Sequence, residues 1–326
     1  MVEFPIPRTV KQFATQFSHA GFSLFIVGGA VRDYFLGRAT SDFDFATDVQ
    51  PDEVMNLFPS VIPTGIKHGT VTVLFRGSSY EVTTFRIDGD YRDARHPETV
   101  HFVRSLQEDL IRRDFTINAL AYRLKTETLT DLFDGIGDIK NKTIRTVGTP
   151  SDRLEEDYLR MLRAVRLATE LNFALDVETA KTIKTQAENI QKISTERQRD
   201  ELVRIIMSNE PLKGFNLLRE LSLERYILPE LDQAHGVEQR GAHIFDVREH
   251  LLRALQQASV KNLSLELRLA ILFHDIGKPP TKRYDSQKKT ATFYGHEVVG
   301  AKMAQKILIN FKFSKSVLSK SIPSTF

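Results

Sequence analysis

Phe25-Ile26-Val27-Gly28-Gly29-Ala30-Val31-Arg32-Asp33-Tyr34-Phe35-Leu36-Gly37, followed after Arg38-Ala39-Thr40 by Ser41-Asp42-Phe43-Asp44-Phe45, is the stretch that decides the fold. A short apolar strand runs into two glycines, where backbone N–H groups can approach a phosphate and meet the positive end of the next helix. Arg32 sits one turn into that helix. In the following strand Asp42 and Asp44 are two apart, so both carboxylates leave one face of the pleat while Phe43 and Phe45 leave the other. Two close oxygen ligands beside a phosphate cradle suit Mg2+ bridged to a triphosphate.

Alone, Gly-Gly reads as a turn and Asp-x-Asp as a solvated strand end. Their order changes this, because a one-residue slip of the second strand would bury both acids and expose both phenylalanines. Thr70 to Phe75 and Tyr80 to Arg86 alternate around Arg76-Gly77-Ser78-Ser79 and predict a hairpin. It carries Glu81, which is either a third acid of the site or an exposed strand residue. Arg112, Arg113, Asp114 and Asn118 flank the apolar Phe115 and Ile117 and can hold a triphosphate and a ribose. Asp114 there orients Arg113 or the sugar, or makes a structural salt bridge. Asp157, Arg160, Arg163 and Arg166 recur every three residues along a predicted helix. That spacing by itself favours a surface ion-pair ladder over a donor–acceptor set for base edges.

The chain has 326 residues, 41% of them hydrophobic, which predicts two or three domains with sizeable cores. No run approaches a membrane span, and Met1-Val2-Glu3-Phe4-Pro5 lacks signal-peptide character, so the expected compartment is the cytoplasm with no membrane partner. Absence of cysteine removes disulfides, thiolate zinc sites and cysteine nucleophiles. Forty-five basic against 42 acidic residues leave a net charge of +3, so any RNA-binding face must be concentrated locally. Residues 88–98 are charged, lack apolar periodicity and predict a mobile loop. After Val147 helical patterning takes over with almost no strand signal, which is the mark of an α+β domain joined to an all-α region. No obligate protein partner is evident.

Gly28-Gly29-Ala30-Val31-Arg32-Asp33, Asp42-Phe43-Asp44, Arg112 to Leu120, Glu156-Asp157-Tyr158-Leu159-Arg160 and Ser194-Thr195-Glu196-Arg197 resemble, in order and spacing, the motifs of class II tRNA nucleotidyltransferases. These are the CCA-adding enzymes, with bacterial poly(A) polymerases as relatives. The resemblance implies template-independent addition of C, C and A to the 3′ end and acceptor arm of tRNA from CTP and ATP, with Mg2+ on Asp42 and Asp44. It places Gly29, Arg32, Arg113, Asp114 and Asn118 around the nucleotide. It makes Asp157 and Arg160, continued by Arg163 and Arg166, the selectors of the base. Ser194 to Arg197 becomes the capped start of a bracing helix. Lys67-His68-Gly69-Thr70 is closer to the CCA-adding members than to the polymerases, and the complete 88–98 loop argues against an enzyme adding only CC.

A second resemblance is to HD-type metal phosphohydrolases. His250, the pair His274-Asp275 with Ile276-Gly277-Lys278, and His296 match that family's ligand signatures and imply a transition-metal site. Ser314 to Phe326 supplies no further His or Asp, so the expectation is an incomplete site on a shortened chain with little hydrolysis. The predicted architecture is an α+β nucleotidyltransferase head (palm) with a small mixed β-sheet over 1–146. An all-α neck and body follow over 147–240, then a partial all-α HD domain over 241–326. The rival readings are a poly(A) polymerase or A-adding or CC-adding enzyme, and a phosphohydrolase whose head only binds nucleotide.

Overall fold

Leu24–Val27 (β1) is apolar throughout and is buried throughout, as an interior strand covered on both faces must be. The computed structural model describes residues 6–40, 42–89, 100–239, 244–285 and 290–322. Most of the predicted loop, from Asp90 onward, lies outside them. Two compact units divide the chain, Met1–Asp157 and Tyr158–Phe326.

In the first unit Arg8–His19 (α1) precedes β1, which leads through Gly28 into Gly29–Phe35 (α2) and then Asp44–Thr47 (β2) and Pro51–Leu57 (α3). Val61–Gly65 (β3), Thr70–Phe75 (β4) and Ser78–Thr84 (β5) follow, then Arg86–Asp88 (β6), Val100–Phe102 (β7) and Leu106–Ile111 (α4). Leu120–Arg123 (β8), Thr128–Asp131 (β9), Gly135–Lys140 (α5) and Pro150–Glu156 (α6) complete it. Seven strands form one sheet in the order β3-β4-β5-β2-β1-β8-β9. It is mixed, because β2 runs parallel to β5 while β1 is antiparallel to both β2 and β8. The predicted hairpin forms, but its turn is only Arg76-Gly77 and its second strand starts at Ser78. Both turn residues have positive φ, 51° and 80°, the two-residue geometry that matches strand twist. Phe13 of α1 packs on Phe45, Phe58 and Tyr80 with ring centroids 4.7 to 5.2 Å apart, so the sheet is anchored by the phenylalanine that alternates with the acids.

The second unit is built from Leu159–Leu171 (α7), Val177–Gln186 (α8), Thr195–Met207 (α9), Pro211–Glu220 (α10), Glu224–Ile227 (α11) and Pro229–Asp232 (α12). Val247–Val260 (α13), Leu265–Phe273 (α14), Lys278–Thr281 (α15), His296–Asn310 (α16) and Lys315–Ser321 (α17) continue it. One small hairpin, Arg283–Asp285 with Thr290–Thr292, interrupts this helical region and carried no strand signal strong enough to foresee. The helix expected to run through Asp157 does not. Asp157 ends α6 in an extended conformation, φ −155° and ψ 102°, and the next helix starts at Leu159.

Candidate active site

Two pairings assemble the acids. Asp44 opens β2, facing Val27 across the antiparallel pair and Glu81 across the parallel one. Gly28, next after Val27, is therefore carried alongside Asp44. Asp42 lies just before the strand rather than in it, yet the alternation holds: Asp42 and Asp44 are exposed while Phe43 and Phe45 are buried. Although Asp44 is exposed as a residue, surrounding protein desolvates its carboxyl enough to push it above the ordinary carboxylate value. The charges of Asp42 and Glu81 add to this and Arg113 opposes it. Neighbouring carboxylates whose charges raise Asp44 supply the hard oxygen donors a divalent cation such as Mg2+ takes, so the residues fit the metal expected there.

Across from the acids lie two guanidinium groups. Gly28 adopts φ 69°, and a Cβ there would come 3.5 Å from Arg113 Nη1; one on Gly29 would come 3.4 Å from Arg32 Nη2. Both guanidiniums thus lie in contact range of the turn, and the positive φ is what calls for glycine at Gly28. Arg32 is fixed by Asp33 at 2.8 Å and donates to Asn118 Oδ1 at 2.8 Å. Asn118 in turn donates to Asp114 Oδ1, which also accepts the Phe115 amide at 2.8 Å. Arg113 Nε is buried without a hydrogen-bond partner, while Nη1 reaches the glycine turn. Because α2 has only seven residues, the positive charge over the turn comes chiefly from these side chains rather than from the helix end.

The carboxylate that holds Arg113 is Asp109, which no motif reading had singled out. It is fully buried in α4 and reaches Arg112 at 2.6 Å and Arg113 at 3.1 Å. Burial would raise its carboxyl, but the two arginines outweigh burial and hold it below the usual range. Its signal was the spacing of Asp109 three and four residues before the arginine pair, which on a helix puts all three together.

In the second unit Arg166 is almost wholly buried and forms ion pairs with Glu201 of α9 and, at 2.8 Å, with Glu170. Expected among the nucleotide contacts, Arg166 is found nearly closed off from solvent, tying α7 to α9. Arg160 is also buried, while Arg163 is partly open and 4.0 Å from Glu201. Ser194 stands at the start of α9 but makes no side-chain cap, and Glu196 pairs with Lys312 instead of closing a capping box.

A second cluster joins α13, the end of α14 and the start of α16. His250 and His274 bring their Nε2 atoms to 3.1 Å, and both lie within 3.5 Å of Asp275 Oδ2. His296 Nε2 is 3.4 Å from the other oxygen. His274 and His296 each place Nδ1 2.8 Å from a backbone carbonyl, of Ile271 and Phe293, so each imidazole turns Nε2 toward the carboxylate. His250, His274 and Asp275 therefore bring their ligand atoms together in a way that fits a transition metal, with His296 at the far oxygen of Asp275. Gly277 permits it, since a Cβ there would lie 2.1 Å from the His296 carbonyl oxygen.

Residues 24–145 match the poly A polymerase head domain family model, 172–235 that of a probable RNA and SrmB-binding site of polymerase A, and 247–325 the HD domain. The chain is 45% identical over 242 residues to a CCA-adding enzyme of Levilactobacillus brevis, an alignment covering 74% of this chain and 60% of that one. It is 50% identical over 196 residues to one of Lactobacillus delbrueckii subsp. bulgaricus, covering 60% and 49%. The chain thus spans about half to three fifths of the length of these curated relatives. Among solved structures, that of the Bacillus stearothermophilus CCA-adding enzyme in complex with CTP superposes with a TM-score of 0.75 at 32% identity, covering 96% of this chain and 68% of that one. Among the described residues no helix is long and apolar enough to cross a membrane.

Proposed function

This chain belongs to the family of CCA-adding enzymes, and from that premise we propose that it adds C, C and A to tRNA 3′ ends without a nucleic-acid template. CTP and ATP are the donors and pyrophosphate is the product. The observation that carries the proposal is the strand register that sets Asp44 between Glu81 and Val27, the residue before Gly28, with Arg113 over the glycine turn. Acids on one side and cations on the other match a nucleotide whose α-phosphorus is attacked at one end while pyrophosphate leaves at the other.

In this reading Asp42 and Asp44 hold Mg2+, which when bound lowers the pKa of the tRNA 3′-hydroxyl and offsets charge on the leaving phosphates. Arg32 and Arg113 take the triphosphate oxygens, Arg113 through the guanidinium edge that lies over Gly28. Asn118 and Asp114 face the ribose, and Gly29 allows the approach. The 3′-oxygen forms its bond to the α-phosphorus as the bond to pyrophosphate breaks, so no residue is modified. Asp157 and Arg160 choose the base, with Arg163 one turn after Arg160 on α7 and Arg166 bracing that helix against α9. His250, His274, Asp275 and His296 hold a transition metal that the transfer does not require. A tRNA substrate sets the reaction in the cytoplasm.

Incorporation of labelled CMP into a tRNA lacking CCA tests the assignment. Wild-type protein should label the tRNA, whereas Asp42→Ala and Asp44→Ala should fall at least about a hundredfold while still binding tRNA, because the metal acts on chemistry and not on docking. Normal turnover in either variant would remove the acids from the mechanism.

A further inference from the structure

Resting on the reading of the head as a nucleotidyltransferase site, we propose that Asp109 is a positioning residue for the triphosphate, acting through Arg113. Its side chain is almost wholly buried, and its hydrogen bonds run to two arginines and one backbone amide. Oδ1 accepts from Arg112 Nε and Nη2, at 3.0 and 2.6 Å, and from the backbone amide of Arg86 at 3.4 Å; Oδ2 accepts from Arg113 Nη2 at 3.1 Å. One buried carboxylate thus fixes the plane of the Arg113 guanidinium. Asp109 holds Nη2 and the Asn118 carbonyl oxygen lies 3.5 Å from Nη1, which leaves one N–H on each of these nitrogens, and Nη1 lies over Gly28.

The arrangement solves a specific problem. A flexible arginine near a polyphosphate loses side-chain freedom on binding, and a guanidinium already held in place avoids much of that loss. Asp109 also keeps two adjacent like charges, Arg112 and Arg113, from repelling each other away from the turn. Arg113 stands between it and the glycine turn, with Nη2 on Asp109 and Nη1 near Gly28, so Asp109 acts through that guanidinium. Its effect should therefore vanish when Arg113 is gone.

The test is a double-mutant cycle on binding of CTP, with Mg2+ present, to the full chain: wild type, Asp109→Asn, Arg113→Ala and the double variant, each followed by titration calorimetry. Asp109→Asn should weaken CTP about tenfold, Arg113→Ala by as much or more, and the double variant no further than Arg113→Ala alone. In tRNA extension the Asp109→Asn change should appear in the KM for nucleotide, with kcat and the KM for tRNA within about twofold of wild type. If Asp109→Asn does not fold, Asp109→Glu takes its place in the cycle, with the same loss of effect expected in the Arg113→Ala background. Additive losses, or a fall in kcat with unchanged nucleotide affinity, would overturn the role of Asp109 while leaving the site reading intact. A wild-type protein that binds no CTP would overturn both.

Discussion

Asp44 carries a penalty in the metal-free protein, because burial and the charges of Asp42 and Glu81 raise its carboxyl above the usual value. A raised acid is favoured protonated, so its ionised form at neutral pH costs stability relative to the unfolded chain. Asp44→Asn should therefore raise the melting temperature of chelator-treated protein slightly, by less than about 4 °C since the residue is exposed, while removing nucleotide transfer. A lower melting temperature together with retained transfer would show the strand end to be structural. Asp109 has the opposite sign: its depressed carboxyl stabilises the fold above the unfolded value of 3.8 and loses that only as pH falls further. The difference between these acids also explains which of them could be read in advance. Asp42 and Asp44 announce themselves by alternating with Phe43 and Phe45, whereas Asp109 sits among Glu108, Arg112 and Arg113, a run whose composition looks like solvated surface.

At the scale of elements, α7 is held by α9 through Arg166 and Glu201, both nearly buried. Removing one partner leaves a charge without compensation, so Glu201→Ala should cost about 3–5 kcal/mol in denaturant unfolding, and Arg166→Met combined with Glu201→Leu should recover much of it. A cost near zero for Glu201→Ala would mean that α9 does not brace α7. Base choice is a separate matter: Asp157→Ala should relax discrimination against UTP and GTP, read from misincorporation, and unchanged fidelity would leave Asp157 out of the selecting set. Its helix was misjudged from spacing because nothing in Glu155-Glu156-Asp157-Tyr158 breaks helical patterning locally. The break is a backbone event at Asp157, with no proline or glycine to mark it. The hairpin turn was placed at four residues for a related reason, since Ser78 and Ser79 have turn composition but pair with Phe75 and Leu74. In the HD cluster, Gly277→Ala would drive a methyl group into the His296 carbonyl and displace α16. Affinity for Co2+ should fall more than about tenfold, as loss of ligand support does at such sites. Unchanged affinity would dissociate the cluster from metal binding.

At the scale of the whole chain, motif order made the mixed sheet and the helical region legible, because each motif carries its own secondary structure: strand before Gly28, strand after Asp42, helix after Tyr158. The partners of long side chains were not legible, since Arg166 reaches Glu201 and Lys312 reaches Glu196 across 35 and 116 residues. His274→Ala should leave nucleotide transfer within about twofold of wild type, because the Asp42, Asp44 and Arg113 set uses none of the HD residues. The most direct measurement is single-nucleotide sizing, on a gel, of a tRNA lacking CCA after incubation with CTP, ATP or both. The expected result is two added residues with CTP alone, none with ATP alone and three with both. Long tails from ATP alone, or no extension with both nucleotides, would contradict CCA addition by this chain.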